Sequence, residues 1–119
     1  MSLGQQIGQT ELSKLEKEAH YVQVRQKALE LLALREHSFQ ELKRKLNARF
    51  RENDSEIERC LEEMCSEQLQ SDERFSRLFI ESRLSNRRNG PFRILADLQQ
   101  RGIPRKLAQS LLDELTDND

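Results

Sequence analysis

Two breaks in otherwise helical sequence constrain the fold of this chain most strongly. The first lies in KALELLALREHSFQELKRKL, residues 27–46, and the second in ESRLSNRRNGPFRILADL, residues 81–98. When Ser38 is placed on Gly90, Arg35 falls on Arg87 and the flanking apolar positions coincide. The aligned pairs are Ala28 with Ile80, Leu32 with Leu84, Leu42 with Ile94, Leu46 with Leu98 and, after a two-residue loop difference, Ile57 with Leu107 and Leu61 with Leu111. The pattern predicts a tandem repeat with a period of about 50 residues.

Each repeat is predicted to be a unit of three short helices, bounded by residues that start or stop helices. Ser38 with Glu41 three positions later is a capping-box pattern. Pro suits the first turn of a helix, and Gly suits the residue that ends one. Asp54 or Ser55 is the expected cap of the third helix, and Ser71 or Asp72 that of the fourth. The expected caps and joints are Ser38, Glu41, Asp72, Gly90, Pro91 and Gly102.

The predicted organisation is an N-terminal arm or helix (1–23), a first repeat (24–70), a second repeat (71–115) and an acidic tail (116–119). We expect a single unit to be too thin to bury its apolar stripes, so that stacking of the units builds the core. The fourth helix carries two apolar stripes and is expected to lie between the units. The predicted fold class is all-α, with tandem three-helix repeats stacked into an elongated, solenoid-like array.

Charge follows the chain in blocks. Residues 52–73 contain nine acids and one base, residues 74–106 contain nine bases and two acids, and residues 43–51 contain five bases. One interpretation is mutual neutralisation between neighbouring helices, and the other is a basic face for an acidic partner. The candidate partner-binding residues of that face are Arg35, Lys43, Arg44, Arg83, Arg87, Arg88, Arg93 and Arg101. Phe92 lies one residue off the apolar stripe, so it is either exposed or packed at the edge of the core, and packing at the edge is the favoured expectation.

Signatures of catalysis or cofactor binding are missing from the sequence. The four glycines match no phosphate-binding loop, and His20 and His37 have no Cys or carboxylate at metal-ligand spacing. Cys60 and Cys65 are expected to be reduced, partly buried thiols. No stretch is apolar and long enough to span a membrane. We therefore expect a cytoplasmic protein that is not an enzyme, binds no cofactor or metal and is a monomer.

Three motifs, in order and at the right spacing, resemble the RecX family, the bacterial modulators of the recombinase RecA. They are ALELLALREHSFQELKRKL, with an Arg-x-x-Ser break, QLQSDERFSRLFIESR, which matches the start of the second repeat of the family, and NGPFRILADLQQRGI. The resemblance covers Ala28 to Leu115 and assigns Asp72, Glu73 and Phe75 to the cap and core of that repeat. The usual third repeat of the family is absent from these 119 residues.

The resemblance implies a helical regulator that binds the RecA filament on single-stranded DNA and inhibits its recombinase and filament activities, with a role in recombination, repair and the SOS response. Arg35, Arg83 and Arg87 match basic positions of the family, which implies that they face the filament. For Arg35 and Arg87, three residues before each break, the alternative is a structural role at the carbonyls of the helix end. The alternative is a helical module that binds nucleic acid directly, suggested by the basic stretch over residues 74–106. The acidic helix beside that stretch argues against this alternative, because it would repel the same phosphate backbone.

Overall fold

The fold consists of six helices arranged as two successive three-helix units. The computed structural model describes residues 8–86 and 90–117. The helices are α1 (Gln9–Leu34), α2 (Phe39–Arg49), α3 (Asp54–Ser66), α4 (Asp72–Asn86), α5 (Pro91–Gln100) and α6 (Arg105–Asp117). Helices α1–α3 form unit one and α4–α6 form unit two, in an array with extents of 76 × 23 × 22 Å. The all-α, elongated fold of tandem three-helix repeats is confirmed.

Each unit buries its own hydrophobic core. In unit one the core is formed by Tyr21, Val24, Ala28, Leu42, Leu46, Ile57, Cys60, Leu61 and Met64. In unit two it is formed by Phe75, Ile80, Ile94, Leu98, Ile103, Ala108, Leu111 and Leu112. The expectation that stacking builds the core is therefore wrong, because three helices of this length already enclose a layer of side chains. Helix α4 packs on α5 and α6 rather than between units, and its Leu78 is 51% exposed.

Helix α1 is continuous across the predicted boundary between the arm and the first repeat. Its second half packs on unit one through Tyr21, Val24 and Ala28. Residues 9–20 are exposed throughout, so the first half of the helix extends beyond the unit. None of the described helices is long and apolar enough to cross a membrane.

The predicted helix starts and stops are largely confirmed. Ser38 and Glu41 form the full capping box at the start of α2, and Pro91 occupies the first turn of α5 after Gly90. Ser71 Oγ accepts a hydrogen bond of 3.1 Å from the Arg74 N–H and so caps α4, which begins at the predicted Asp72. The predicted cap of the third helix, Asp54 or Ser55, is wrong by at least one residue, because the helix already begins at Asp54 and Asn53 occupies the cap position.

Helix α5 ends in a Schellman motif at the predicted glycine. Gly102 has a φ of 85°, the Ile103 N–H donates to Leu98 O at 3.1 Å, and the Gly102 N–H donates to Gln99 O at 3.0 Å. Helix α3 ends in the same way, with Gln68 at a φ of 63°. Because Gly has no Cβ, it takes this left-handed conformation without the steric cost that Gln68 bears.

The sequence spacing that relates the third helices of the two units differs by one residue from the predicted spacing. Ile57 is buried in α3, whereas Leu107, its predicted counterpart, is only partly buried in α6. The residue of α6 that lies where Ile57 lies in α3 is Ala108, at a spacing of 51 residues. The predicted two-residue difference is thus a one-residue difference, and it arises because α5 is one residue shorter than α2.

Candidate partner-binding surface at the joint between units

The joint between the units is made of hydrogen bonds. Ser38 Oγ donates to Arg101 O at 2.7 Å, and the Phe39 N–H donates to Asp72 Oδ1 at 2.8 Å. Gln70 Nε2 donates to Asp72 Oδ1 at 3.0 Å and to His37 O at 3.3 Å. These bonds hold the start of α2 against the start of α4 and the end of α5. Asp72 therefore acts as an acceptor at the joint.

His37 lies buried at this joint in its neutral form. Its Nε2 is 2.9 Å from Lys45 Nζ and its Nδ1 is 3.0 Å from Arg35 O. Because the lysine ammonium only donates, Nε2 accepts and the proton lies on Nδ1, which donates to the carbonyl. Burial lowers the pKa of His37, and the charges of Arg35 and Lys45 act in the same direction, against the hydrogen bond to Arg35 O.

Gly102 allows the closest approach between the units. Its Cα lies against the side chain of Gln40 at the start of α2, so that a Cβ there would overlap Gln40. Gly102 thus serves two purposes, since it ends α5 in the left-handed conformation and admits the neighbouring unit. The sequence predicted the first purpose but contained no signal for the second.

Four of the predicted basic residues lie around this joint, and we call Arg35, Arg83, Arg93 and Arg101 the basic surface. The guanidinium carbons of Arg83 and Arg101 lie 4.6 and 4.8 Å from the centre of the Phe79 ring. Such cation–π contacts hold the two guanidinium groups against the Phe79 ring. Phe79 was predicted only as part of an apolar stripe, and its role under the two arginines was missed.

Two carboxylates hold the basic surface together. Asp97 lies 3.6 Å from both Arg83 and Arg93, and its backbone carbonyl accepts from Arg101 Nη1 at 2.9 Å. Glu41 links the units, because it lies 3.3 Å from Arg35 and 3.8 Å from Arg101. Among these six side chains, four guanidinium groups therefore meet two carboxylates, so that positive charge is in excess.

Glu41 remains charged at this position. Burial alone raises the pKa of its carboxyl group, but the hydrogen bond from the Ser38 N–H and the Arg35 guanidinium outweigh burial and hold the pKa below its usual value. The same side chain therefore completes the capping box and anchors two arginines from different units. The start of helix α2 and the positions of Arg35 and Arg101 therefore depend on the same carboxylate.

The other candidate residues are placed differently. Arg44 is exposed and Lys43 is half-buried on α2. Arg87 and Arg88 lie outside the described residues, so the predicted equivalence of Arg35 and Arg87 remains a prediction. Phe92 was expected at the edge of the core, and this expectation is wrong because its side chain is 88% exposed.

Other arginines neutralise the acidic block, as the first interpretation of the charge pattern holds. Arg25 pairs with Glu63 in α3 and with Glu67, the residue that follows α3. Arg59 pairs with Glu18 of α1. Within the basic block, Arg74 pairs with Glu36, and Arg77 pairs with Glu73 and Glu114. Neutralisation between helices and a residual basic surface thus coexist in the molecule.

The part of the chain that the structure describes contains no group of three His, Cys, Asp or Glu side chains that could hold a metal ion. Cys60 and Cys65 are free thiols. Burial raises the pKa of both above the usual value, so both are protonated at neutral pH. Cys65 Sγ donates to Gln70 Oε1 at 3.0 Å and so supports the joint.

Comparison with known proteins agrees with the repeat architecture. Residues 71–112, most of unit two, match the model of the second three-helix domain of RecX. The chain is 39% identical over 95 residues to "Regulatory protein RecX" of Halorhodospira halophila, which covers 80% of this chain and 55% of that relative. It is 43% identical over 97 residues to the protein of the same name from Pseudomonas entomophila, which covers 81% of this chain and 61% of that relative.

A third relative carries the same name. "Regulatory protein RecX" of Pseudomonas putida is 45% identical over 84 residues, covering 71% of this chain and 53% of that relative. The chain thus spans little more than half the length of these curated relatives. The matching repeat, the motifs at both helix breaks and these identities lead to one conclusion: the chain belongs to the RecX family.

Proposed function

We propose that this chain is a regulator of RecA that binds the RecA filament on single-stranded DNA through the basic surface and inhibits its recombinase activity. It acts by contact rather than by catalysis, as a monomer in the cytoplasm. The observation that carries the proposal is the joint itself, where four guanidinium groups from both units share two carboxylates in a chain related to regulatory proteins.

The shape of the molecule supports this mode of binding. An array 76 Å long and 22–23 Å across can follow a groove over several subunits of a filament. The basic surface lies where the two units meet, so a partner that contacts it touches both units at once. Binding there occupies the filament without any chemical step and thereby obstructs strand exchange and filament growth.

The proposal is tested by charge reversal with a charge-matched control. The test variant carries Arg35→Glu and Arg93→Glu, since the side chains of Arg35 and Arg93 are 49% and 71% exposed. The control carries Lys14→Glu and Lys17→Glu on the exposed first half of α1. Both double variants change the net charge of the chain by the same amount. A difference in binding between them therefore depends on where the reversed charges lie.

The measurement is co-sedimentation with preformed RecA filaments on single-stranded DNA, together with inhibition of strand exchange. We expect the test variant to bind on the order of tenfold more weakly, because two rim charges oppose the partner, and the control to bind like the unmodified chain. Equal loss in both variants would show a dependence on net charge alone and would remove the basic surface from the proposal.

The second candidate function is direct binding of nucleic acid, which the positive excess at the joint favours. Contacts to phosphates weaken steeply as salt rises, because counterions are released. Binding of single-stranded DNA is therefore measured at low and moderate salt without RecA. Failure to bind at low salt eliminates this candidate. Salt-sensitive binding of DNA that the Arg35→Glu, Arg93→Glu variant loses would support it.

A further inference from the structure

A line of exposed apolar side chains runs along α1, and we call it the α1 stripe. Half of the large hydrophobic side chains that the structure describes as exposed lie on this line, where 38–63% of each is accessible to solvent. The two smaller or polar residues between them on the same line are exposed as well. The α1 stripe consists of Leu12, Leu15, Ala19, Val22, Gln26 and Leu29.

The spacing of the α1 stripe identifies the kind of neighbour that fits it. Its members follow one another at alternating intervals of three and four residues, without interruption. This is the heptad spacing of a coiled coil, in which one line of side chains faces a second helix along its whole length. A helix that packs on a globular neighbour instead carries a wider apolar face with a period of 3.6 residues. The spacing therefore indicates a helix that runs beside α1 for about 27 Å.

Unit one leaves this side of α1 free. The core side chains of α1, Tyr21, Val24 and Ala28, lie about 160° around the helix axis from the stripe, since each residue turns the helix by about 100°. The observed joint between units is formed by the starts of α2 and α4 and the end of α5, none of which belongs to α1. A further unit joined to the array in the same way would therefore leave the stripe uncovered.

The α1 stripe is complementary to itself. In one antiparallel register of two copies, large side chains at the ends of the stripe meet each other and the smallest one meets a β-branched one at the centre. The alignment is the same from either copy, which is the symmetry of a two-fold dimer. The opposed pairs, each present twice, are Leu12 with Leu29, Leu15 with Gln26 and Ala19 with Val22.

The charges beside the stripe favour this antiparallel register. On one flank Glu18 lies beside Arg25 of the second copy, and on the other flank Glu16 lies beside Gln23 of the second copy. In a parallel pair, by contrast, Glu11 would lie beside Glu16 of the second copy, and like charges repel there. Arg25 already pairs with acids of its own copy, so the orientation follows from the absence of like charges and not from a new ion pair.

We propose that the α1 stripe is a surface for self-association, on which α1 of a second copy packs antiparallel as a short two-stranded coiled coil. The pairing is weak, because Ala19 is small and Gln26 is polar. The chain is therefore a monomer when dilute, as in the proposed function, and a dimer when concentrated. The inference goes beyond the proposed function, since no residue of the basic surface belongs to the stripe.

Self-association is measured by sedimentation equilibrium of the whole chain under reducing conditions, between about 10 µM and about 1 mM, a range that covers weak pairing. The test variant is Val22→Glu, which places two carboxylates near the centre of the seam. The matched control is Leu78→Glu on α4. The two side chains are 55% and 51% exposed, so neither change opens a core, and circular dichroism verifies that both variants fold.

We expect the average mass of the unmodified chain and of Leu78→Glu to rise toward that of two copies as concentration increases. The dissociation constant of Val22→Glu should be higher on the order of tenfold or more, because a charge is costly to bury without a partner. A chain that keeps the mass of one copy at every concentration would overturn the proposal, and so would equal pairing by Val22→Glu and its control. Binding to the RecA filament is measured separately, so either result leaves the proposed function standing.

The orientation of the pair is tested by disulfide formation in a glutathione buffer. Chains that carry Leu12→Cys are mixed with chains that carry Leu29→Cys, and the unmodified chain, with Cys60 and Cys65 free, gives the background. Antiparallel pairing places these two positions opposite each other, so we expect the mixed disulfide in excess over disulfides between like chains. An excess of disulfides between like chains would overturn the antiparallel arrangement.

Discussion

The two units share a backbone plan but use the same turn differently. In unit one the start of the second helix is polar and covered, with Ser38 buried against unit two. In unit two the same turn is apolar and open, with Phe92 facing solvent. The two units therefore share a scaffold, while the chemistry and the exposure of this turn differ between them. The predictions below compare the two units or test the joint between them, in order of decreasing effect.

The largest effect is expected from truncation of equivalent core leucines. Leu46 and Leu98 are fully buried in separate cores, so Leu46→Ala and Leu98→Ala should each lower the free energy of unfolding of their unit by about 2–5 kcal/mol. Hydrogen exchange read by mass spectrometry should show lost protection in α1–α3 for the first variant and in α4–α6 for the second. Equal loss in both units for either variant would contradict separate cores.

A smaller effect is expected from a methyl group at the joint. Gly102→Ala places a Cβ on a left-handed residue and against Gln40, which should cost about 1–3 kcal/mol. The control is Gly90→Ala, where the space is open and the φ is −78°. Chemical denaturation measures both costs, and hydrogen exchange at residues 38–42 reports the joint. A cost for Gly102→Ala no greater than that for Gly90→Ala would rule out the close approach described above.

The smallest effect concerns a polar atom buried in unit two. Ser76 is fully buried and occupies the position of Val24 in unit one, and its hydroxyl group has no hydrogen-bond partner among the residues that the structure describes. Because an unsatisfied hydroxyl group is costly to bury, Ser76→Ala should raise the free energy of unfolding of unit two by about 1 kcal/mol. Val24→Ala is the matched change in unit one and should instead destabilise it. Thermal unfolding of the two variants provides the comparison, and a destabilised Ser76→Ala variant would be inconsistent with a hydroxyl group that lacks a partner.

The features that were predictable from the sequence are those fixed by local chemistry. The capping box at Ser38 and Glu41, the proline at the start of α5 and the glycine at its end each depend on residues close together in the chain. Apolar spacing identified most of the side chains that turn inward in the helices. These local signals are sufficient to predict the helices, the repeat and the all-α fold class, because none of them depends on contacts between residues distant in the chain.

The features that were not predictable depend on which helices meet. An apolar stripe on α4 is compatible with packing inside one unit or between two, and only the tertiary arrangement shows that Leu78 faces solvent. Likewise, the sequence does not state that Gln40 packs on Gly102 or that Phe79 lies under two arginines. Exposure of Phe92 was the less favoured of two alternatives, because a residue beside an apolar stripe is usually covered by its neighbours.

Gly102 gives the array a direction that can be read from the amino-acid sequence. It permits a preceding unit to approach the end of α5. Arg51, which follows the cap residue of α2 as Gly102 follows that of α5, receives no unit among the described residues. A glycine at the end of the second helix would then identify a unit that follows another, and a bulky residue there would identify the leading unit. In longer relatives, glycines at this position would mark how many joints the array contains and in which order its units follow one another.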